Sequence, residues 1–239
     1  DVKFGSGAFM KTTADAEALA RALQAIGRQN NVNVHVFLTS MDQPLGCFIG
    51  NSLEVFECLE IMDGKMRLLG DVDLYADTRE LTLQLAAEMI WIGKKADSFE
   101  HGYQLAHDIL MSGQAKQNFL RMVKFQGGDP DFNLPKARSI IDVESNESGF
   151  VTAIDSEAIG MASLLLGAGR LIAEDSVAPA VGIEMCTKIS MPVQKGQPLC
   201  RLHINDQKNL RTVEQKVRAA ISIGPKVNKT PELIKTILR

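Results

Sequence analysis

Two stretches of this chain carry residue types that could do chemistry. The first is Gly5-Ser6-Gly7-Ala8-Phe9, where the glycines tolerate positive φ and let the backbone approach a ligand closely. Its spacing matches neither the dinucleotide fingerprint nor a Walker loop, so a plain turn between strand and helix reads equally well. Phe9 has two readings, a core aromatic at the sheet edge or an apolar wall for a flat heterocycle. Asp1 and Lys3 could pair beside this loop or remain solvated. The second stretch holds Glu54 and Glu57, one helical turn apart on a single face. Two such carboxylates suit acid–base or metal roles, or form a solvated acidic face. Backbone carbonyls of Leu45 and Phe48, converging with Glu57, would add a hard oxygen environment for an alkali or alkaline-earth cation.

Other constellations are weaker. His35, His101, His107 and His203 are scattered, and a separation of six keeps the middle two off one helix face. There is no H-E-x-x-H or G-x-S-x-G, so hydrolase and metalloprotease readings have little support. Val193, Gly196 and Leu199 have the spacing of barrel-sandwich modules, some of which carry biotin or lipoate on a lysine. Neither Lys188 nor Lys195 sits in a Met-Lys-Met or Asp-Lys-Ala hairpin, so structural use of that barrel is the better reading. Cys47, Cys58, Cys186 and Cys200 form no C-x-x-C pair and read as reduced structural thiols of a cytoplasmic protein. A net charge of −3 gives no basic field for nucleic acid. No apolar run reaches the roughly 18 residues that span a bilayer, so no membrane partner is expected.

The elements that must position these residues alternate. Asp1 to Met10 read as the exit of an opening strand into the glycine loop, and Thr12 or Thr13 caps a helix with Ala16, Leu19, Ala20, Leu23 and Ile26, ended by Gly27. Residues 33–40 alternate as a strand, predicting a right-handed βαβ crossover in a parallel sheet. The loop Met41 to Asn51 follows at the strand's carboxyl end, where ligands of open α/β sheets bind. Asn51 with Glu54, and Asp77 with Glu80, have capping-box spacing. Helices are expected from Asp77 to about Gly93, over 99–111 and over 115–124. Gly127 to Pro130 marks a turn. From Pro135 the texture becomes short β runs (138–143 and 149–154), a helix around 156–166, and a final amphipathic helix on Leu210, Val213, Val217 and Ile221. The division expected is therefore 1–134 and 135–239.

Three segments, Asp1 to Lys11, Thr39 to Gly46 with Gly50 to Glu57, and Gly167-Ala-Gly-Arg170 with Val181-Gly-Ile183, together resemble the thymidine and pyrimidine-nucleoside phosphorylase family. The resemblance implies the rest of a mixed, largely parallel-sheet α/β phosphorylase domain followed by a smaller α+β, barrel-sandwich-like carboxyl-terminal domain. It implies reversible phosphorolysis of pyrimidine nucleosides, with inorganic phosphate as co-substrate, no organic cofactor, a potassium ion, and a homodimer. Phe9 matches the position beside the 5-substituent of the base. Leu45, Phe48 and Glu57 match positions that contribute the bound cation, the first two through carbonyls. The family's phosphate-binding segments, catalytic histidine and base-holding Arg, Ser and Lys match nothing here and are expected before Asp1, so the 239 residues alone are expected to be inactive and to expose apolar surface. Lys188-Ile-Ser-Met-Pro-Val193 stands where relatives have a glycine-aspartate turn, which implies an altered hairpin there. A different class of function, a non-catalytic interaction or regulatory protein that kept this fold, competes with the enzyme reading.

Overall fold

The computed structural model describes residues 1–170, 172–226 and 230–239. Its first layer follows the chain order read from the periodicity. Strand β1 (Val2–Phe4) leads through the glycine loop to helix α1 (Thr13–Gln29) and strand β2 (Val36–Ser40). β1 and β2 pair in parallel, with Val2 opposite Leu38 and Phe4 opposite Ser40. Thr12 caps α1 by accepting from the Asp15 N–H, which satisfies one of the free amides of the first turn. Ala16, Ala20 and Gly27 bury one face of α1, while Leu19, Leu23 and Ile26, on the adjoining stripe, stay exposed. The helix runs past Gly27 to Gln29, and β2 begins three residues later than its alternation suggested.

Next come β3 (Phe48–Ile49), α2 (Asn51–Met62), the two-residue strands β4 (Leu68–Leu69) and β5 (Val72–Asp73), and helices α3 (Ala76–Ile92), α4 (Phe99–Met111) and α5 (Gln114–Phe125). The two expected capping boxes do not form. Gly50 is the N-cap of α2 and Tyr75 that of α3, each without a side-chain cap. Glu54 reaches back to the Gly50 N–H, and Asp77 is drawn into a tertiary contact. At α3 the tertiary partner displaces the local cap, whereas at α2 the helix simply begins one residue earlier, at Gly50.

The second layer comprises β6 (Ser139–Glu144), β7 (Gly149–Ile154), α6 (Ser156–Ser163) with a π-helical turn over Leu164–Ala168, β8 (Gly182–Met185), β9 (Pro192–Val193), β10 (Pro198–Ile204), α7 (Leu210–Ala220), β11 (Ile221–Gly224) and β12 (Ile234–Leu238). β3, β8, β10 and β6 form one antiparallel sheet, and β11, β7 and β9 another. Val143, Val151, Ile183, Leu202, Val213 and Val217 fill the space between them. The chain between β8 and β9 makes its turn with Ser190 at φ 75°, a left-handed conformation that glycine adopts at less cost. The absence of a glycine there is thus absorbed as local strain.

Two strands cross the division expected at residue 134. β12 returns to pair antiparallel with β2 in the first sheet, and β3 joins β8 in the second. At the β3 crossing, Gly50 takes φ 147°, and a Cβ there would lie 2.5 Å from the Val181 carbonyl oxygen. Among the described residues, no helix is long and apolar enough to cross a membrane.

Candidate functional site

The loop between β2 and α2 is held from both layers. Cys47 and Phe48 N–H groups donate to Glu57 Oε2 at 2.9 and 3.0 Å, and Thr78 donates its hydroxyl to Glu57 Oε1 at 2.8 Å. Glu57 is 4% exposed, so it is not part of a solvated acidic face, whereas Glu54 remains exposed. Burial pushes the Glu57 carboxyl above its ordinary value, outweighing the three hydrogen bonds that favour its charged form. Gly46 makes the approach possible: at φ 65°, a Cβ there would stand 1.8 Å from Glu57 Oε1.

Leu45, Phe48 and Glu57 line one cavity of about 380 Å³, together with Lys3, Gly7 and Ser156. The cavity lies where α2, the glycine loop and the start of α6 meet. Gly7 approaches so closely that a Cβ there would be 2.6 Å from that of Ser156. The Ser156 N–H donates to Ser6 Oγ at 3.2 Å, and Lys11 reaches Glu157 at 2.9 Å, so the opening loop docks on the second layer. The Ser156 hydroxyl is buried without a hydrogen-bond partner among the described residues. Asp1 and Lys3 do pair, at 2.8 Å, and both bond Thr39 Oγ1.

Phe9 is 99% exposed at the tip of the glycine loop. It is not a core aromatic, because nothing among the described residues covers it. It does not line the cavity that Leu45, Phe48 and Glu57 share. Among the described residues, no three or more of His, Cys, Asp and Glu group into a metal-binding cluster, so any cation here would depend on backbone carbonyls beside the single carboxylate of Glu57. The cavity wall brings Leu45 and Phe48 beside this carboxylate, whose Oε1 accepts from the Thr78 hydroxyl, so the residues present are of the oxygen-donor kind that an alkali ion takes.

Sequence reasoning missed Asp77, Thr78 and Lys188. Asp77 read as a helix cap, yet its Oδ1 accepts from the Gly46 N–H at 3.0 Å and its Oδ2 from Lys188 Nζ at 2.5 Å. Lys188 is 8% exposed. A lone lysine within the largely apolar segment from Val181 to Ile189, which also holds Glu184, was the available signal, since an unpaired ammonium is almost never buried.

Comparison with known proteins agrees with this two-layer arrangement. Residues 1–116 match the family described as "Glycosyl transferase family, a/b domain". Residues 150–224 match the "Pyrimidine nucleoside phosphorylase C-terminal domain". The chain belongs to the pyrimidine-nucleoside phosphorylase family. A pyrimidine-nucleoside phosphorylase of Bacillus subtilis (strain 168) is 39% identical over 243 aligned residues that cover 100% of this chain and 54% of the relative. One of Staphylococcus aureus (strain USA300) is 40% identical over the same coverage. The chain therefore spans about half the length of the curated relatives it matches. The fold of this family member is the α/β glycosyltransferase domain followed by the smaller, β-rich carboxyl-terminal domain.

Proposed function

We propose that this chain contributes to reversible phosphorolysis of pyrimidine nucleosides, thymidine and its uridine counterparts. In that reaction a phosphate oxygen bonds to the anomeric carbon as the glycosidic C–N bond breaks. The electron pair leaves with the base nitrogen, which takes a proton to give free base and sugar 1-phosphate. The observation that carries the reading is the ordered match of the whole chain to pyrimidine-nucleoside phosphorylases, with both domain types in sequence.

Within it, the exposed ring of Phe9 supplies an apolar wall for the 5-position of the base, as exposed aromatics at loop tips often do. Leu45 and Phe48, through their carbonyls, and Glu57, through its carboxylate, hold a potassium ion. The ion supplies positive charge that stiffens the loop beside the cavity. The chain offers no matched group for phosphate or for protonating the base, so alone it is catalytically silent. Its exposed Leu19, Leu23 and Ile26 stripe fits coverage by further protein surface, in a homodimeric cytoplasmic enzyme.

The test is phosphate-dependent release of thymine or uracil, run on the protein in the form its organism makes and on the isolated 239 residues. Turnover is expected from the first and none from the second. Absence of turnover by the first at saturating phosphate and nucleoside sinks the phosphorolysis reading. Turnover by the isolated chain sinks its assigned silence. Phe9→Ala in the active form should raise the nucleoside KM while leaving thermal stability unchanged, because the ring packs against nothing.

A further inference from the structure

Lys188 has no task in the reaction as described, yet it is buried in the carboxyl-terminal domain and reaches into the other one. From the chain between β8 and β9, its ammonium donates to the Pro44 carbonyl at 2.8 Å and to Asp77 Oδ2 at 2.5 Å. The neighbouring Ile189 N–H donates to Gln43 Oε1 at 2.9 Å, and Met185 N–H donates to the Cys47 carbonyl at 2.6 Å. Asp77 completes the circuit by accepting the Gly46 N–H at 3.0 Å. Leu45 therefore sits between two held peptide groups. Lys188 holds the Pro44–Leu45 peptide by its carbonyl, and Asp77 holds the Leu45–Gly46 peptide by its N–H.

In a trans peptide the N–H and C=O point in opposite directions. Donation from Gly46 to Asp77 thus turns the Leu45 carbonyl away from Asp77. We propose that Lys188 is a positioning residue for the Leu45 carbonyl of the cation site, supplied to the α/β domain by the carboxyl-terminal domain. The inference rests on the cation reading given under the proposed function. An ammonium suits the task, because its three donors can serve a carbonyl and a carboxylate at once. An apolar replacement would leave the buried Pro44 carbonyl without its donor and remove the charge that fixes the half-buried Asp77 carboxylate, which holds the Gly46 N–H, so both peptides beside Leu45 would be held less firmly.

The experiment compares wild type, Lys188→Met and Lys188→Arg in the form the organism makes. Melting temperature is read against increasing potassium chloride, with choline chloride holding ionic strength constant. Hydrogen exchange at the Gly46 amide is read on the same samples. We expect the half-saturating potassium concentration to rise by about tenfold or more in Lys188→Met, the usual range for losing a group that orients a ligand. Lys188→Arg, which keeps charge and donors, should recover part of it. Gly46 should lose protection in Lys188→Met and keep most of it in Lys188→Arg.

An unchanged potassium response in folded Lys188→Met overturns the positioning role and leaves the cation reading standing. No potassium-selective shift in wild type overturns the cation reading instead. In that case unchanged Gly46 exchange in Lys188→Met separately overturns the clamp. Should Lys188→Met fail to fold, Asp77→Asn provides the second variant. It retains an acceptor for Gly46 while losing the charge that holds Lys188, and an unchanged potassium response there overturns the proposal equally.

Discussion

Glu184 offers the sharpest stability test in the molecule. β8 places this carboxylate in the interior at 5% exposure. Its Oε1 accepts from Arg67 and, at 3.0 Å, from Arg201, while His203 Nε2 lies 3.2 Å from Oε2. Burial by itself would raise the acid, but the hydrogen bond from His203 and the charges of Arg67 and Arg201 outweigh it and hold Glu184 at about 2. The gap from the ordinary 4.5 down to about 2, at about 1.4 kcal/mol per pH unit, is worth about 3 kcal/mol at neutral pH. That agrees with the roughly 3–5 kcal/mol lost when one partner of a buried ion pair is removed.

The sign follows from the direction of the shift. A carboxylate depressed in the folded state stabilises the protein above its unfolded value. The contribution disappears as pH falls from about 4.5 towards about 2. Glu184→Gln should therefore lower stability at pH 7 by about 3 kcal/mol, or roughly 6–12 °C in melting temperature for a chain of this size. Urea unfolding of both proteins from pH 7 to pH 2.5 measures the gap. It should narrow below pH 4.5 and fall to about 1 kcal/mol at the acid end. A gap below about 1 kcal/mol at pH 7, or one that does not change with pH, would refute the reasoning.

Two further outcomes follow from single contacts. Gly46→Ala should cost about 2 kcal/mol or more and abolish any potassium response, because its Cβ would meet Glu57 Oε1 at 1.8 Å in a left-handed backbone. Urea unfolding within about 0.5 kcal/mol of wild type would contradict this. Arg239 donates to both oxygens of Glu88, at 2.8 and 2.9 Å, and lies 5.1 Å from the Trp91 ring centroid. Burial pushes Glu88 up, but the bonds from Arg239 and His35 bring it below its ordinary value, so this contribution too is lost on acidification. Arg239→Ala should cost about 1–3 kcal/mol, flatten the acid limb of stability and change the emission of Trp91, the single tryptophan. Unchanged emission and stability would show that β12 holds its place without this clamp.

Local periodicity carried much of the fold. The limits 99–111 and 149–154 coincide with α4 and β7, and the parallel pairing of β1 with β2 follows from strand, helix and strand in succession. These succeed because apolar spacing and turn residues act within a few positions of each other. The capping boxes failed for different reasons: Asp77 met Lys188, a partner that no local window contains, while Glu54 turned to the Gly50 N–H one residue before the expected cap. The acidic pair divided likewise, with Glu57 buried beneath a loop and Glu54 left outside.

By itself the sequence determined the family, the alternation of elements and the positions of Leu45, Phe48 and Glu57 on one stretch of chain. The tertiary structure alone decided which of those groups are buried and what holds them. Phe9 lies bare at a loop tip, although the sequence allowed it a place in the core. Lys188 lies 111 residues from Asp77, yet shares a hydrogen bond with it because β8 carries the carboxyl-terminal domain against the loop. Hydrophobic patterning fixes which side of an element faces inward. The meeting of a buried charge with its partner depends on how whole layers pack, and this chain settles that through its crossing strands β3 and β12.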